Sequence, residues 1–346
     1  MGIHSTKFPP KAEAAETVYA LAPEQRFTTW ARAKSVDADA YRGLSLGNYL
    51  RSMIVGGMAD LERRALSEGS DSAGGYTTPT PLSAELIDLM RAASVVTRAG
   101  ARTVPLTSDN NNVAKLLTDP VPAWRAEAGA VAESDPTFGL INMVPSSLAV
   151  QTKLSAELME DSLNLVTELP RILAAAMAVE LDRVALLGSG TPSELEGITN
   201  VTRIGTTAQD AAIASYANLS KARTGILTAN AGPVSAYIMH PRDEGAFMDL
   251  TDSTGQPLNT ARGIAEIPML TTTSIPVDGG GGSDESTIFA GNFAHMLVGI
   301  RSDIRVEVLK TSAYASNLQY TLLAHMRADI AVTQPGAFYT LTGVQG

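Results

Sequence analysis

The chain has no cysteine among its 346 residues. Disulfides, thiolate metal sites and cysteine nucleophiles are therefore excluded, and its strength must come from packing and polar contacts. Aromatic residues are scarce at 5%, so a core drawn from the 45% hydrophobic content rests on Ala, Val, Leu, Ile and Met. Only two tryptophans occur, Trp30 and Trp124. No window approaches about 18 consecutive apolar residues, so no helical membrane span is expected. The opening MGIHSTKFPPKAEAAE has no apolar run behind a basic start, unlike a secretory signal, and Gly2 with Thr6 matches a myristoylation pattern only loosely. His4, His240, His295 and His325 are scattered with no second histidine nearby, and HExxH is absent. No metal and no cofactor is expected.

Basic charge is also short. The net charge is −10, from 26 Lys/Arg against 36 Asp/Glu. Nine of the basic and eight of the acidic residues fall within the first 70, which leaves 17 and 28 in the remainder. So acidic a body lacks the clustered cations that phosphate contacts require, and it would tend to repel DNA.

What is present reads as a mixed α+β chain, long for one core, as one elaborated domain or two lobes. Residues 11–34 and 44–67 read as short helices; in the second, Leu46, Leu50, Ile54, Met58 and Leu61 form one apolar stripe. SEGSDSAGG is a linker by composition. After it, TPLSAELIDLMRAASVV offers Ser83 as the N-cap of an amphipathic helix. ARTVPL and NMVPSSLAVQTKL are strand-like, and the polar excursion between them reads as a two-stranded ribbon with a long tip. TELPRILAAAMAVELDRVALLG is the firmest helix, with Thr167 as N-cap, Pro170 in the first turn and Gly188 as its stop. Beyond it, residues 218–229 and PRDEGAFMDL read as helices. VSAYIM, TIFAGNFAHMLVGI, IRVEVLK and a long C-terminal strand interrupted near Pro335 alternate with them. VDGGGGSDES is an exposed loop tip, and no internal repeat is visible.

The candidate chemistry is thin. LLGSGTPSE resembles a phosphate loop but lacks its Lys-Ser/Thr ending and follows a helix where that loop follows a strand. Ser189 has no GxSxG elbow around it. Glu157, Glu160 and Asp161 read as a solvated helical face, and NNN at 110–112 as turn chemistry. No catalytic set can be assembled, and no enzymatic activity is expected.

The order of the pieces carries more than any one of them. The linker and helix SAGGYTTPTPLSAELIDLMRAASVV precede a ribbon containing AWRAEAGAVAESDPTFGLINMVPSSLAVQTKLSAELMEDS. There follow a long helix closing in ALLGSGTPSELEGITN, then YIMHPRDEGAFMDLTDSTGQPL, IFAGNFAHMLVGIRSDIRVEV and a terminal HMRADIAVTQPGAFYTLTG. From about residue 70 onward this resembles the major capsid proteins of tailed bacteriophages with the Hong Kong 97 fold. The resemblance implies a shell subunit that assembles with copies of itself into hexamers and pentamers of an icosahedral head. The head would enclose DNA without sequence-specific binding, form in the bacterial host cytoplasm and persist in the virion. Its other partners would be a portal protein and, in some relatives, scaffolding or decoration proteins; no membrane is involved.

In family terms, residues 1–70 would be an N-terminal helical segment, 71–101 the N-arm and 102–153 the extended loop. Residues 154–205 with 311–346 would form the peripheral domain with its spine helix, and 206–310 the axial domain. Relatives often carry a longer, charged scaffolding segment that a protease removes. Here the leading segment is short and near neutral, so retention is expected, with an uncleaved precursor as the alternative. The rival readings are an encapsulin-like nanocompartment shell and, from another class, a monomeric α/β hydrolase with Ser189 as nucleophile.

A lone two-stranded ribbon is marginal in water, so the extended loop is expected to lie across an adjacent subunit. Trp124 would be its apolar anchor, and Arg125, Glu127 and Glu133 candidates for ion pairs between subunits. Alternatively Trp124 packs on its own chain. Some relatives cross-link covalently through a loop Lys and a distant Asn; Lys115 and Asn317 are the conceivable pair, against the plainer reading of Lys115 as a solvated side chain.

Overall fold

The computed structural model describes residues 20–34, 44–55, 80–108, 110–118, 124, 137–155, 165–192, 194–301, 304–309 and 318–346. Two stretches, one that reads as a single strand and one that reads as a strand interrupted near Pro335, each break and change sheet. The first becomes β8 (Glu285–Gly291) and β9 (Met296–Arg301), with a short 3₁₀ turn at Phe293–His295 between them. The second becomes β11 (Gln319–Val332) and β12 (Phe338–Gln345), split by the turn Pro335–Ala337. Pro335 cannot donate to a strand ladder, so the break falls where the sequence withholds a donor. The crossings grip each other: Asn292 N–H donates to the Ala337 carbonyl (2.9 Å), Thr333 N–H to that of His295 (2.9 Å). The Phe293 and Phe338 rings meet edge-on at 5.4 Å. Gly291 is required there, because a Cβ would stand 2.5 Å from the Phe338 ring.

The body sheet therefore runs β1 (Arg102–Leu106), β9, β11, β10 (Arg305–Leu309), with β4 (Ser146–Ser155) pairing β11 from Gln319 to Ala328. The second sheet runs β5 (Gly205–Ala212), β12, β8, β6 (Ala236–Met239), β7 (Met269–Thr271). Helices α6 (Ala217–Thr228), α7 (Pro241–Met248) and α8 (Arg262–Ala265) accompany it. The expected division at 310/311 does not separate the sheets: β9 and β10 pair with β11, while β12 inserts between β5 and β8. Arg242, at the start of α7, fastens that insertion. Its guanidinium donates to the carbonyls of Val344 (3.0 Å) and Asp284 (2.8 Å) and pairs with buried Asp243.

The long helix α5 (Leu165–Leu187) begins earlier than expected. Thr167 lies inside it and is not its cap, and Pro170 is the sixth residue, where it forgoes one intrahelical bond near a helix end. Leu169, Leu173, Met177, Leu181 and Val184 are buried at spacings of three and four, as one packed face demands. Helix α3 (Thr80–Ala93) likewise starts at Thr80, with Pro81 in its first turn, so Ser83 is an interior, buried residue and not the N-cap.

Three α3 side chains spaced by three hold the N-terminal segment. Glu85 accepts from the Leu46 N–H (3.1 Å), capping α2 (Leu46–Val55). Asp88 accepts from Phe27 N–H (2.6 Å), Thr28 N–H (3.1 Å) and the Thr28 hydroxyl (2.8 Å), capping α1 (Phe27–Lys34). Arg91 donates to the carbonyls of Gln25 (2.6 Å) and Ala22 (2.9 Å). Phe27, Leu46, Tyr49 and Leu50 are almost wholly buried in the same core as Leu86, Ile87 and Met90. Leu21 completes the attachment by bridging Thr103 on the edge of β1.

Two polar clusters fix the C-terminal part of α5. Buried Asp182 accepts from the Ser94 hydroxyl (2.6 Å) and from the N–H groups of Val95 (2.7 Å) and Val96 (3.2 Å), capping α4 (Val95–Arg98) from across the core. Burial pushes its carboxyl upward, and these hydrogen bonds oppose the shift. At the C-terminus, Gly188 and Gly197 bring two chain segments together; a Cβ on Gly188 would lie 2.2 Å from the Leu195 carbonyl. Glu194 then accepts from the Ser189 hydroxyl and N–H, and from Arg183 (2.6 Å), which also pairs with Glu180 (2.7 Å). Hydrogen bonding to Ser189, and next to Arg183, holds the Glu194 carboxyl down to about 2.

Asp182→Ala strands three buried donors and should cost about 3 kcal/mol in urea unfolding, with a lower midpoint and unchanged slope. Because the Glu194 carboxyl is held below its ordinary value of 4.5, its contribution is complete above that pH and lost as pH falls through about 2. The melting-temperature gap between wild type and Glu194→Gln should therefore be constant from pH 5 to 7 and close progressively below about pH 4.5. A gap that widens on acidification would contradict this assignment.

Candidate assembly surfaces

The ribbon is smaller than the stretch from which it was expected, because only its middle projects. Strands β2 (Asn111–Thr118) and β3 (Thr137–Met143) pair only with each other among the described residues, from Asn111 opposite Met143 to Thr118 opposite Thr137. The flanking β1 and β4 belong to the body sheet. Val144 and Pro145 separate β3 from β4, and the Val144 N–H donates to Asp329 on β11 (2.7 Å). Met143, Val104, Leu106, Leu297 and Ala331 form a small separate core at the ribbon base. Beyond that base nothing else pairs with the ribbon among the described residues, and Leu140 is exposed.

Trp124 is fully exposed, so the reading in which it packs on its own chain is not the one observed. Lys115 lies on β2 opposite Gly139. Arg125, Glu127, Glu133 and Asn317 lie outside the described residues. Ser189 is bonded to Thr191 (3.0 Å) and to Glu194, a carboxylate held at about 2 and hence a poor base for activating it. The arrangement secures a loop. His240, His295 and His325 sit on separate elements, at the cap of α7, in the first crossing and on β11. Among the described residues no His, Asp and Glu cluster could hold a metal, and no helix is long and apolar enough to cross a membrane.

Two surfaces escaped the sequence reading. Ile172, Ala175, Ala176 and Val179 make an exposed apolar stripe on α5, opposite its buried face. Near the C-terminal end of α5, a cavity of about 200 Å³ opens between that helix and the start of β4. Leu148, Leu181, Val184, Leu195 and Ala328 give it apolar walls, with Ser146, Ser147, Glu180, Arg183 and Glu194 completing its lining. Helical periodicity marks the stripe. Nothing local marks the cavity, since its walls come from four separate stretches of the chain.

Comparison with known proteins agrees with this architecture. Residues 74–343 match the model of the phage capsid family. The major capsid protein of Klebsiella oxytoca phage phiKO2 is 23% identical over 266 residues, covering 72% of this chain and 61% of that protein. The chain thus spans about three fifths of that curated relative. Among solved structures, the capsid of an empty GTA particle aligns with a TM-score of 0.57 at 20% identity, over 73% of this chain and 90% of its own. A chain from Mycobacterium phage Cain aligns with a TM-score of 0.55 at 17% identity, over 73% and 89%. The fold is the mixed α+β fold of Hong Kong 97-type capsids. With a body sheet, a spine-like helix, a projecting ribbon and a family match across four-fifths of its length, the chain belongs to the phage capsid family.

Proposed function

We propose that this chain is the major capsid protein of a tailed bacteriophage, self-assembling through hexamers and pentamers into the icosahedral head shell that encloses the packaged genome. The observation that carries this reading is the family match over residues 74–343, which takes in the ribbon and both sheets. In this role α5 and the body sheet form the peripheral domain, and the β5–β12–β8–β6–β7 sheet the axial domain. The ribbon is the extended loop that crosses to a neighbour, with Trp124, Arg125, Glu127 and Glu133 as its contacts. The acidic body suits a container that holds DNA without gripping it. The portal, scaffolding and decoration partners, and assembly in the host cytoplasm, belong to the same reading. Shell strength would rest on buried area repeated over many copies, with Lys115 and Asn317 remaining ordinary side chains.

Burial of Phe27, Tyr49, Leu46 and Leu50, with the grip of Glu85, Asp88 and Arg91, supports retention of the N-terminal segment in the finished particle. Removal at the linker would uncover that core.

Purified protein should form closed shells by electron microscopy, with nucleic-acid content separating a phage head from a nanocompartment. Trp124→Ala should reduce shell yield severalfold while leaving monomer helicity unchanged by circular dichroism, because the indole is exposed in the single chain. Mass spectrometry of the particle should find the subunit intact across residues 20–55; a subunit starting near Ser72 would end the retained-segment reading.

A further inference from the structure

We propose that the cavity between β4 and the C-terminal end of α5 is the receptor for Trp124 of a neighbouring copy. The inference rests on the capsid reading and names the surface that the ribbon engages. Three observations support it. The first is size: at about 200 Å³ the cavity lies below the roughly 300–1,000 Å³ of metabolite sites, and it suits one large side chain. The second is chemistry. Leu148 and Leu195, backed by the buried Leu181, Val184 and Ala328, offer an indole apolar walls, while Ser146 and Ser147 in the lining offer oxygens to its N–H. Glu180, Arg183 and Glu194 carry a net charge of −1 beside it, and the residue that follows Trp124 is Arg125. The third is geometry. The cavity includes Ser146, at the foot of the ribbon, while Trp124 lies six residues beyond Thr118, the far end of β2. Eight residues of strand set Thr118 about 25 Å from that foot. One copy's Trp124 is fully exposed, so its tip and its cavity are unmatched halves of one contact.

Joining the tip of one copy to the foot of the next is a heterologous, head-to-tail contact, and such contacts close into rings when the rotation permits. The ring symmetry of a capsomer would follow from this single repeated insertion.

The absence of cysteine makes the test clean. Trp124→Cys and Ser147→Cys are introduced together, both at exposed positions, and assembled particles are treated with a short bismaleimide before denaturing electrophoresis. The expected result is loss of most of the monomer band into a ladder that needs both cysteines. Particles that give no ladder would overturn the receptor assignment and leave the capsid reading standing. A bridge confined to monomers would overturn it too, since the tip would then meet its own cavity. Wild-type protein that never forms shells would defeat the capsid reading itself. A second measurement keeps the indole: in Trp30→Phe, Trp124 is the sole tryptophan. Its emission should move to shorter wavelength on assembly. Adding Leu195→Lys, which sets a charge in the cavity wall, should restore solvent-like emission or leave folded subunits unable to assemble. Blue-shifted emission that survives Leu195→Lys would also overturn the assignment.

Discussion

A two-stranded ribbon has two faces and no layer of its own to cover either, and in water such a ribbon is marginal. In this protein β2 and β3 pair only with each other among the described residues, and the chain provides a built foundation only at their base. There Met143 enters a small core with Val104, Leu106, Leu297 and Ala331, and the Val144 N–H is tied to Asp329. The body sheet exists in part to hold that foot: β1 leads into the ribbon and β4 leads out of it. Both are locked through β9 and β11, so the ribbon leaves from a fixed platform with its contact surface unspent.

The platform is tied together by polar contacts that converge from distant parts of the chain. Asp182 caps a helix on the other side of the core, Arg242 gathers two carbonyls and Asp243, and the paired crossings bind Asn292 to Ala337 and Thr333 to His295. Most of these tie residues distant in sequence, and loss of Asp182 or Asp243 leaves a buried group without its partner. Such groups specify one arrangement more than they add net stability.

The N-terminal segment is part of this platform. Its four large buried side chains contribute about 6–12 kcal/mol by area, an upper estimate comparable with the whole stability of a typical domain. Leu21 also covers the outer edge of β1, a row of backbone groups that would otherwise invite pairing with another chain. A segment that reads in the sequence as a separate leader is structurally a wall of the core.

The sequence by itself determined the elements whose signals are local. The helix around Leu169–Leu187 was legible from its apolar spacing, the break at Pro335 from a missing donor, and the ribbon from turn residues between β-branched runs. The mixed α+β class and the capsid resemblance came from the order of these pieces. Tertiary structure alone decided which sheet each strand joins: β8 and β9 are continuous in pattern, the break at Pro335 does not say where β12 goes, and the strands part where Phe293 and Phe338 pack. It also displaced the caps expected at Ser83 and Thr167, because the helices that hold them begin at Thr80 and Leu165. The cavity by Arg183 was invisible for the same reason: Ser146, Leu181, Leu195 and Ala328 share no local pattern, and only the pairing of β4 with β11 beside the end of α5 brings them together.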